Sequence, residues 1–144
     1  MEVSKCIGCD NFPCVNVDKA CYKIPNIEIE PRTIKTLMIS EAPPQDLNDY
    51  FYAGDAAFYF QTTAQAFRDA GIEVSPMQEV LRLRAYVTTA IKCGKTAYSI
   101  PPLAIGNCSK ILQQEISLFP TVKSILLMGD SAIRSMNYIA KRAL

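Results

Sequence analysis

Three short apolar runs alternate with helical patterns along this chain of 144 residues. The runs cover residues 36–40, 85–91 and 124–129, and each has the length and apolar character of a strand. Helix signals mark 57–70, 76–83, 105–119 and the stretch from 130 to the C-terminus at Leu144. This order predicts one α/β domain whose parallel sheet is covered by helices on both faces. A ligand site is then expected beyond the carboxyl ends of the strands, at EAPPQD, KCGKT and GDS.

Local signals predict where two of the helices begin. We expect Ser75 to cap the second helix, with Pro76 at its first position. Asp130 or Ser131 is expected to cap the last helix. The same GDSAI stretch would present a helix N-terminus to an anion, but the acidic Asp130 favours the simple cap.

Four of the six cysteines lie within residues 1–30, a segment of little periodicity that needs an external cross-link. The C-x-x-C pair of Cys6 and Cys9 fits zinc, an iron–sulfur cluster or a redox dithiol. The redox interpretation is disfavoured because the pair precedes every predicted strand. One possible set is a local zinc knuckle of Cys6, Cys9, Cys14 and Cys21. The other joins Cys6 and Cys9 to Cys93 and Cys108, which otherwise would only pack in the core.

The chain contains no histidine, which excludes a Ser-His-Asp triad, a Cys-His pair and every His-containing zinc site. The net charge of +1 leaves only a local basic patch for contact with nucleic acid. Candidates for such a basic rim are Arg82, Arg84, Lys92 and Lys95. There is no apolar run of about 18 residues and no leader-type N-terminus, so we expect a cytoplasmic protein without a membrane segment and with reduced cysteines.

Four motifs, in order from Cys6 to the chain end, resemble the iron–sulfur (family 4-like) uracil-DNA glycosylases. They are the C-x-x-C pair, SEAPPQD, YVTTAIKC, and PLAIGNCSKILQQEISLFP leading into SILLMG. The family has similar stretches, namely GEAPG with a following acidic pair, Y-I-T-N-V-V-K-C, and E-I-x-x-C-x-P before an apolar strand. The resemblance implies a three-layer α/β/α fold with a central parallel sheet. It also implies a DNA-repair hydrolase that cleaves the N-glycosidic bond of uracil, or of a related damaged base, in DNA.

The resemblance further implies a [4Fe–4S] cluster held by the thiolates of Cys6, Cys9, Cys93 and Cys108. The cluster would fasten the cysteine-rich segment to the loop after the second strand. Zinc is the alternative metal. Cys14 and Cys21 have no counterpart in the family and are expected to be free thiols or core residues.

The active site implied by the resemblance lies at the end of the first strand. A glycosylase takes its base out of the stack and stabilises an oxocarbenium-like sugar while water attacks. Glu41 matches the family's acidic residue and would position that water, with Ser40 and Ala42 beside it. Tyr52, in DYFYAGD, would stack on the base, and Thr89 would contact its edge. The alternatives are that Glu41 is a solvated loop carboxylate and that the aromatic residues 50–52 cover the core edge.

The chain also departs from the family's pattern. Thr89 stands where the family has asparagine, while Pro44 and Ser40 each replace a glycine. The family's late H-P-[SA] motif and its last strand are missing before Leu144. A second hypothesis is therefore a catalytically inactive, nucleic-acid-binding iron–sulfur module, and a third is a small zinc protein. For the first two we expect a monomer that binds single- or double-stranded DNA containing uracil.

Overall fold

The structure, a computed structural model, describes residues 1–143. Its strands and helices are β1 (Val17–Asp18), β2 (Thr36–Ser40), α1 (Phe58–Asp69), α2 (Met77–Arg82), β3 (Ala85–Thr89), β4 (Gly94–Lys95), α3 (Pro102–Ser117), β5 (Ser124–Leu127) and α4 (Asp130–Ala143). The predicted alternation of strands and helices is confirmed, with shifts of a few residues at the element ends. Leu144, the predicted end of the last helix, lies outside the described residues.

The main sheet is parallel, with the strand order β3-β2-β5. Thr36, the first residue of β2, pairs with Ala85 on one side and with Ser124 on the other. All three strands therefore start at one level and end at the same edge of the sheet. The residues that follow the central strand β2 emerge at the middle of that edge, where a parallel sheet usually places its ligand site.

Helices pack on both faces of β2 and β3 because successive side chains of a strand point to opposite sides. On one face, strand residues pack with α3 and α4 in a cluster that includes Leu37, Ile39, Tyr86, Ile111, Leu112 and Ala132. On the other face, strand residues pack with α1 and α2 in a cluster that includes Met38, Ala85, Val87, Phe60, Ala64, Met77 and Val80. The α/β class and the parallel sheet predicted from the sequence are confirmed.

The predicted cover on both faces of the sheet is wrong for β5. Leu126 and Leu127 are 48% and 36% exposed, and only Ile125 of this strand is partly buried. Within residues 1–143, β5 has a strand neighbour on one side only, and α4 packs on α3 and β2. The apolar character of SILL therefore predicted a strand correctly, but not its burial.

Both predicted helix caps are also wrong. Pro76 is the N-cap of α2, and it makes no side-chain hydrogen bond. The backbone N–H of Ser75 donates to the Glu79 carboxylate. Asp130 and Ser131 are already inside the first turn of α4. The acceptor at that helix start comes from another part of the chain, as described below.

The cysteine-rich segment is fastened to the region after β3. β1 pairs antiparallel with β4, a pairing that the sequence pattern does not show. The backbone N–H of Lys23 donates to the carbonyl of Lys92 at 2.8 Å, which links the segment to the loop after β3. Within the segment, Ile29 N–H donates to the carbonyl of Met1 at the same distance. The segment thus lies along the loop that carries Cys93. Across residues 1–143, no helix combines the length and apolarity needed to cross a membrane.

Candidate metal centre and candidate active site

A cavity of about 620 Å³ lies between the N-terminal segment, the end of β3 and α3. Five of the six cysteines line it, and we call it the cysteine cavity: Cys6, Cys9, Cys14, Cys93 and Cys108. Two of these thiols follow β3 or lie on α3, whereas three come from the segment before β1. Cysteines from both halves of the predicted ligand set therefore line the same cavity.

Local structure fixes the positions of these thiols. Cys93 follows Lys92, whose carbonyl accepts a hydrogen bond from the backbone N–H of Lys23. Cys108 lies in the second turn of α3. The backbone N–H of Cys9 donates to the hydroxyl of Tyr22 at 2.9 Å. The hydroxyl of Tyr22, which also lines the cavity, thus fixes the position of the C-x-x-C turn.

The thiols are unpaired with one another, because all six cysteines of the described chain are free. Burial, together with the nearby thiols of Cys108, Cys9 and Cys14, raises the pKa of Cys93 to about 12. Burial also raises the pKa of the Cys108 thiol. Neutral thiols at pH 7 must lose protons before they bind a metal. Among residues 1–143, no three Cys, Asp or Glu side chains form a group that could hold a metal ion.

Cys21 lies apart from the cysteine cavity. Its thiol donates to Asp18 Oδ2 and to the carbonyl of Gln45, both at 3.4 Å. It also lies so close to Gly94 that a Cβ at position 94 would approach the Cys21 Cβ to 2.8 Å. The local zinc knuckle requires Cys21 beside the three earlier cysteines, and the structure does not bring these four thiols together.

The cysteine cavity is large enough for a multi-atom group, and five thiols line it. A water molecule occupies roughly 30 Å³ in the liquid, so a volume of about 620 Å³ has room for far more than one ion. Four lysines, Lys5, Lys19, Lys92 and Lys110, line the cavity against one carboxylate, Asp10, and Lys92 is paired with Glu115. The remaining surplus of positive charge favours a negatively charged occupant, but it does not outweigh the burial that raises the pKa of Cys93 and Cys108.

A second concave site, of about 340 Å³, lies at the carboxyl end of β2. We call it the Glu41 cleft, and its lining consists of Ser40, Glu41, Ala42, Pro43, Pro44, Gln45, Tyr59, Lys95 and Met128. Three of the five residues predicted for the active site therefore share one cleft. Sequence reasoning placed Lys95 only on a basic rim and did not consider Tyr59, whose hydroxyl donates to the carbonyl of Ala42 at 3.2 Å.

The Glu41 carboxylate is held at both oxygens. Lys95 Nζ donates to Oε2 at 2.8 Å, and the backbone N–H of Ser131, at the start of α4, donates to Oε1 at 3.2 Å. The Lys95 ammonium, followed by the Ser131 donor, lowers the pKa of Glu41, although partial burial opposes this shift. Glu41 is thus ionised at neutral pH. Each oxygen has one protein donor and keeps a further acceptor position for water.

Glycine at position 129 permits this approach of Glu41 to α4. Gly129 has φ +126°, a conformation that residues with a side chain rarely adopt. A Cβ there would lie 2.7 Å from Glu41 Cγ. The helix N-terminus predicted as a possible anion site is therefore occupied by a carboxylate of the same chain.

Thr89 and Tyr52 do not line the Glu41 cleft. Thr89 is completely buried, and its hydroxyl donates to the carbonyl of Ile91 at 2.6 Å. The Tyr52 hydroxyl donates to Val87 O at 2.7 Å and accepts from Val87 N–H at 2.8 Å. The Tyr52 hydroxyl thereby supplies hydrogen-bond partners to the backbone C=O and N–H of Val87 at the free edge of β3. This placement matches the alternative that residues 50–52 cover the edge of the core.

Lys92 is not part of a basic rim, and that prediction is wrong. It is fully buried, and Nζ donates to Glu115 Oε1 at 2.5 Å, to Thr88 Oγ1 at 3.0 Å and to Thr89 O at 2.6 Å. Glu115 Oε2 also accepts from the hydroxyls of Tyr86 at 2.7 Å and Thr88 at 2.9 Å. The one available signal was Glu115 itself, a carboxylate on the apolar face of a predicted helix. A buried charge needs a buried partner.

Comparisons with protein-family models, with curated proteins and with solved structures found no match to this chain. The resemblance to iron–sulfur uracil-DNA glycosylases therefore stays a prediction from sequence motifs.

Proposed function

We propose that this protein is a uracil-DNA glycosylase-type hydrolase with an iron–sulfur cluster and the three-layer α/β/α fold of that family. Its reaction would cleave the N-glycosidic bond of uracil, or of a related damaged base, in DNA. The observation that supports this best is the position of Glu41. It is an ionised carboxylate, fixed at both oxygens, in a cleft at the carboxyl end of the central strand.

The chemistry of the bond fits such a carboxylate. As the bond breaks, its electron pair leaves with the base and positive charge develops on the sugar. A fixed negative charge stabilises that sugar, and its free acceptor position orients the attacking water. In this proposal the Lys95 ammonium, 2.8 Å from Glu41 Oε2, would stabilise negative charge on the leaving base. Ser40 and Ala42 would line the base pocket.

The cluster would have a structural role. When bound, a [4Fe–4S] centre supplies a cross-link through thiolates, which the sequence resemblance assigns to Cys6, Cys9, Cys93 and Cys108. It would join the cysteine-rich segment to the loop after β3, which carries Cys93, and to α3, which carries Cys108. Support comes from the room in the cysteine cavity and from its lysines.

The direct test is an oligonucleotide with a single uracil, offered in single- and double-stranded form. We expect the wild-type protein to release uracil and leave an abasic site that alkali cleaves. The Glu41→Gln variant should be about 10²–10⁴-fold slower, as when a positioned acid–base group is lost. Glu73→Gln, at an exposed carboxylate paired with Arg68, is the matched control and should retain full activity. Absence of abasic sites with wild-type protein would refute the glycosylase activity.

A second candidate is a nucleic-acid-binding iron–sulfur module without catalysis. This candidate is favoured because the hydroxyls of Thr89 and Tyr52 both donate hydrogen bonds to backbone carbonyls. Neither residue lines the Glu41 cleft. In the same assay, a shifted oligonucleotide band without any abasic product would select this candidate. A colourless protein with stoichiometric zinc would instead select the small zinc protein.

A further inference from the structure

The cysteine cavity offers one thiol more than a four-iron cluster uses. Such a cluster binds four cysteine thiolates, and five cysteines line this cavity. One of the five is therefore surplus. The structure distinguishes the two candidates for that place, Cys6 and Cys14, by burial, by hydrogen bonding and by their neighbours.

Cys6 is the exposed member of the group. Its thiol donates to the backbone carbonyl of Glu2 at 3.5 Å, an interaction within the first turn of the chain. Cys6 therefore lies at an exposed position of the cavity lining. If Cys6 bound a metal, its thiol would lose the hydrogen bond to the Glu2 carbonyl across the turn at Val3–Lys5.

Cys14 is buried beside Cys108. It is 8% exposed and belongs to a cluster of buried residues that also contains Cys108, Ala104 and Ile105. Asn107 Nδ2 donates to the Cys14 sulfur at 3.7 Å. An N–H donor stabilises a sulfur that carries negative charge, and such hydrogen bonds are typical around cluster ligands.

The turn that delivers Cys14 is held in an unusual conformation. Phe12, between Cys9 and Cys14, has φ +43°, which is rare for a bulky residue. Its ring packs edge-on against Tyr22, with 4.8 Å between centroids, and the Tyr22 hydroxyl accepts from Cys9 N–H. Backbone strain of this kind persists where the surroundings enforce it, and it clusters at functional sites.

We propose that Cys14 takes the place of Cys6 as a ligand, so that Cys9, Cys14, Cys93 and Cys108 hold the cluster. This assignment rests on the proposed cluster. Cys6 then remains a free thiol at the mouth of the cavity. The N-terminal ligands are separated by four residues rather than two, and the strained turn at Phe12 spans the distance between them.

Serine variants of single cysteines test the assignment, with iron, acid-labile sulfide and visible absorbance as readouts in anaerobically purified protein. Cys14→Ser should lose most of the iron and the brown colour, as should Cys93→Ser. Cys6→Ser should retain both, and Cys21→Ser is the control at a thiol outside the cavity. A cluster that survives Cys14→Ser but not Cys6→Ser would overturn the assignment while leaving the proposed cluster intact.

A second measurement uses the wild-type protein and does not depend on the folding of a variant. Brief alkylation of the cluster-loaded protein, followed by mass spectrometry, should modify Cys6 as an exposed thiol. Protection of Cys6 until the cluster is removed would also overturn the assignment. Wild-type protein without iron or sulfide would refute the cluster itself, which the oligonucleotide assay does not measure.

Discussion

The cysteine cavity and the Glu41 cleft lie in the same α/β domain, but they differ in whether their reactive groups already have bonding partners in the chain. In the cavity, five thiols line one space and none is bonded to another thiol. In the cleft, the single carboxylate has a protein donor at each oxygen. The thiols of the cavity are thus not cross-linked to one another, whereas the carboxylate of the cleft is already paired by donors of the chain itself.

The two regions also differ in how a lysine–glutamate pair is used. Lys92 and Glu115, beside the cavity, are 0% and 1% exposed, whereas Lys95 and Glu41 are 33% and 32% exposed. A buried pair cannot be separated without leaving an unpaired charge in the core. A half-exposed pair can exchange its partner for water. The first pair is therefore needed for stability, whereas the second remains accessible to solvent.

Removal of the buried ammonium should give the largest effect. Lys92→Met leaves the Glu115 carboxylate buried with only the Tyr86 and Thr88 hydroxyls, and should lower the free energy of unfolding by about 3–5 kcal/mol. Denaturant unfolding measures the change. The double variant Lys92→Met/Glu115→Leu should recover part of the loss, because no charge then remains buried. Equal losses for Lys92→Met and Lys95→Met would remove the distinction between the two pairs.

An added methyl group at position 129 should give an intermediate effect at the Glu41 cleft. Gly129→Ala combines an unfavourable positive φ with a close contact to Glu41, and should cost about 1–3 kcal/mol of stability. It should also reduce the proposed activity, because the carboxylate must move. Gly71→Ala is the matched control, since Gly71 has φ +91° but nothing within 4 Å of the added Cβ. If both variants lose activity alike, contact with Glu41 is not the cause.

The half-exposed pair should give the smallest effect, and one that depends on pH. Because the pKa of Glu41 is lowered in the fold, its contribution to stability is complete above its ordinary pKa of 4.5 and is lost as pH falls through the lower folded value. Lys95→Met removes the main cause of the shift. We expect it to change stability by less than about 1 kcal/mol at pH 7 and to flatten the loss of stability below pH 4.5. Thermal unfolding at a series of pH values measures this, and an unchanged acid profile would contradict the assigned cause.

Much of the fold followed from local pattern. The runs at 36–40 and 85–91 predicted β2 and β3 because strands buried on both faces are continuously apolar. The run at 124–129 had the same character but became a half-open edge strand, since burial depends on what packs on a strand as well as on its own residues. The predicted caps of α2 and α4 are wrong because the acceptors near these helix starts are Glu79, for the N–H of Ser75, and Glu41, for the N–H of Ser131.

The candidate sites were predicted only in part for a related reason. Ser40, Glu41 and Ala42 are consecutive and follow a strand, so topology alone put them at one edge. Tyr52 and Thr89 were assigned by resemblance to a motif, and their hydroxyls proved to be engaged by the backbone of Val87 and Ile91. A motif specifies residue types along the chain, but it does not specify which of their hydrogen bonds are already made.

The sequence by itself determined the α/β class, the order of the elements and the cysteine spacing, because these depend on residues close together along the chain. Only the tertiary structure decided which charges pair and which thiols share a space. Glu41 meets Ser131 across 90 positions because β2 and β5 end at the same edge of the sheet. Lys92 meets Glu115 across 23 positions because α3 packs on the face of β3. Burial then separates the two pairs, since a charge inside the core requires its partner whereas a partly exposed charge can be solvated by water.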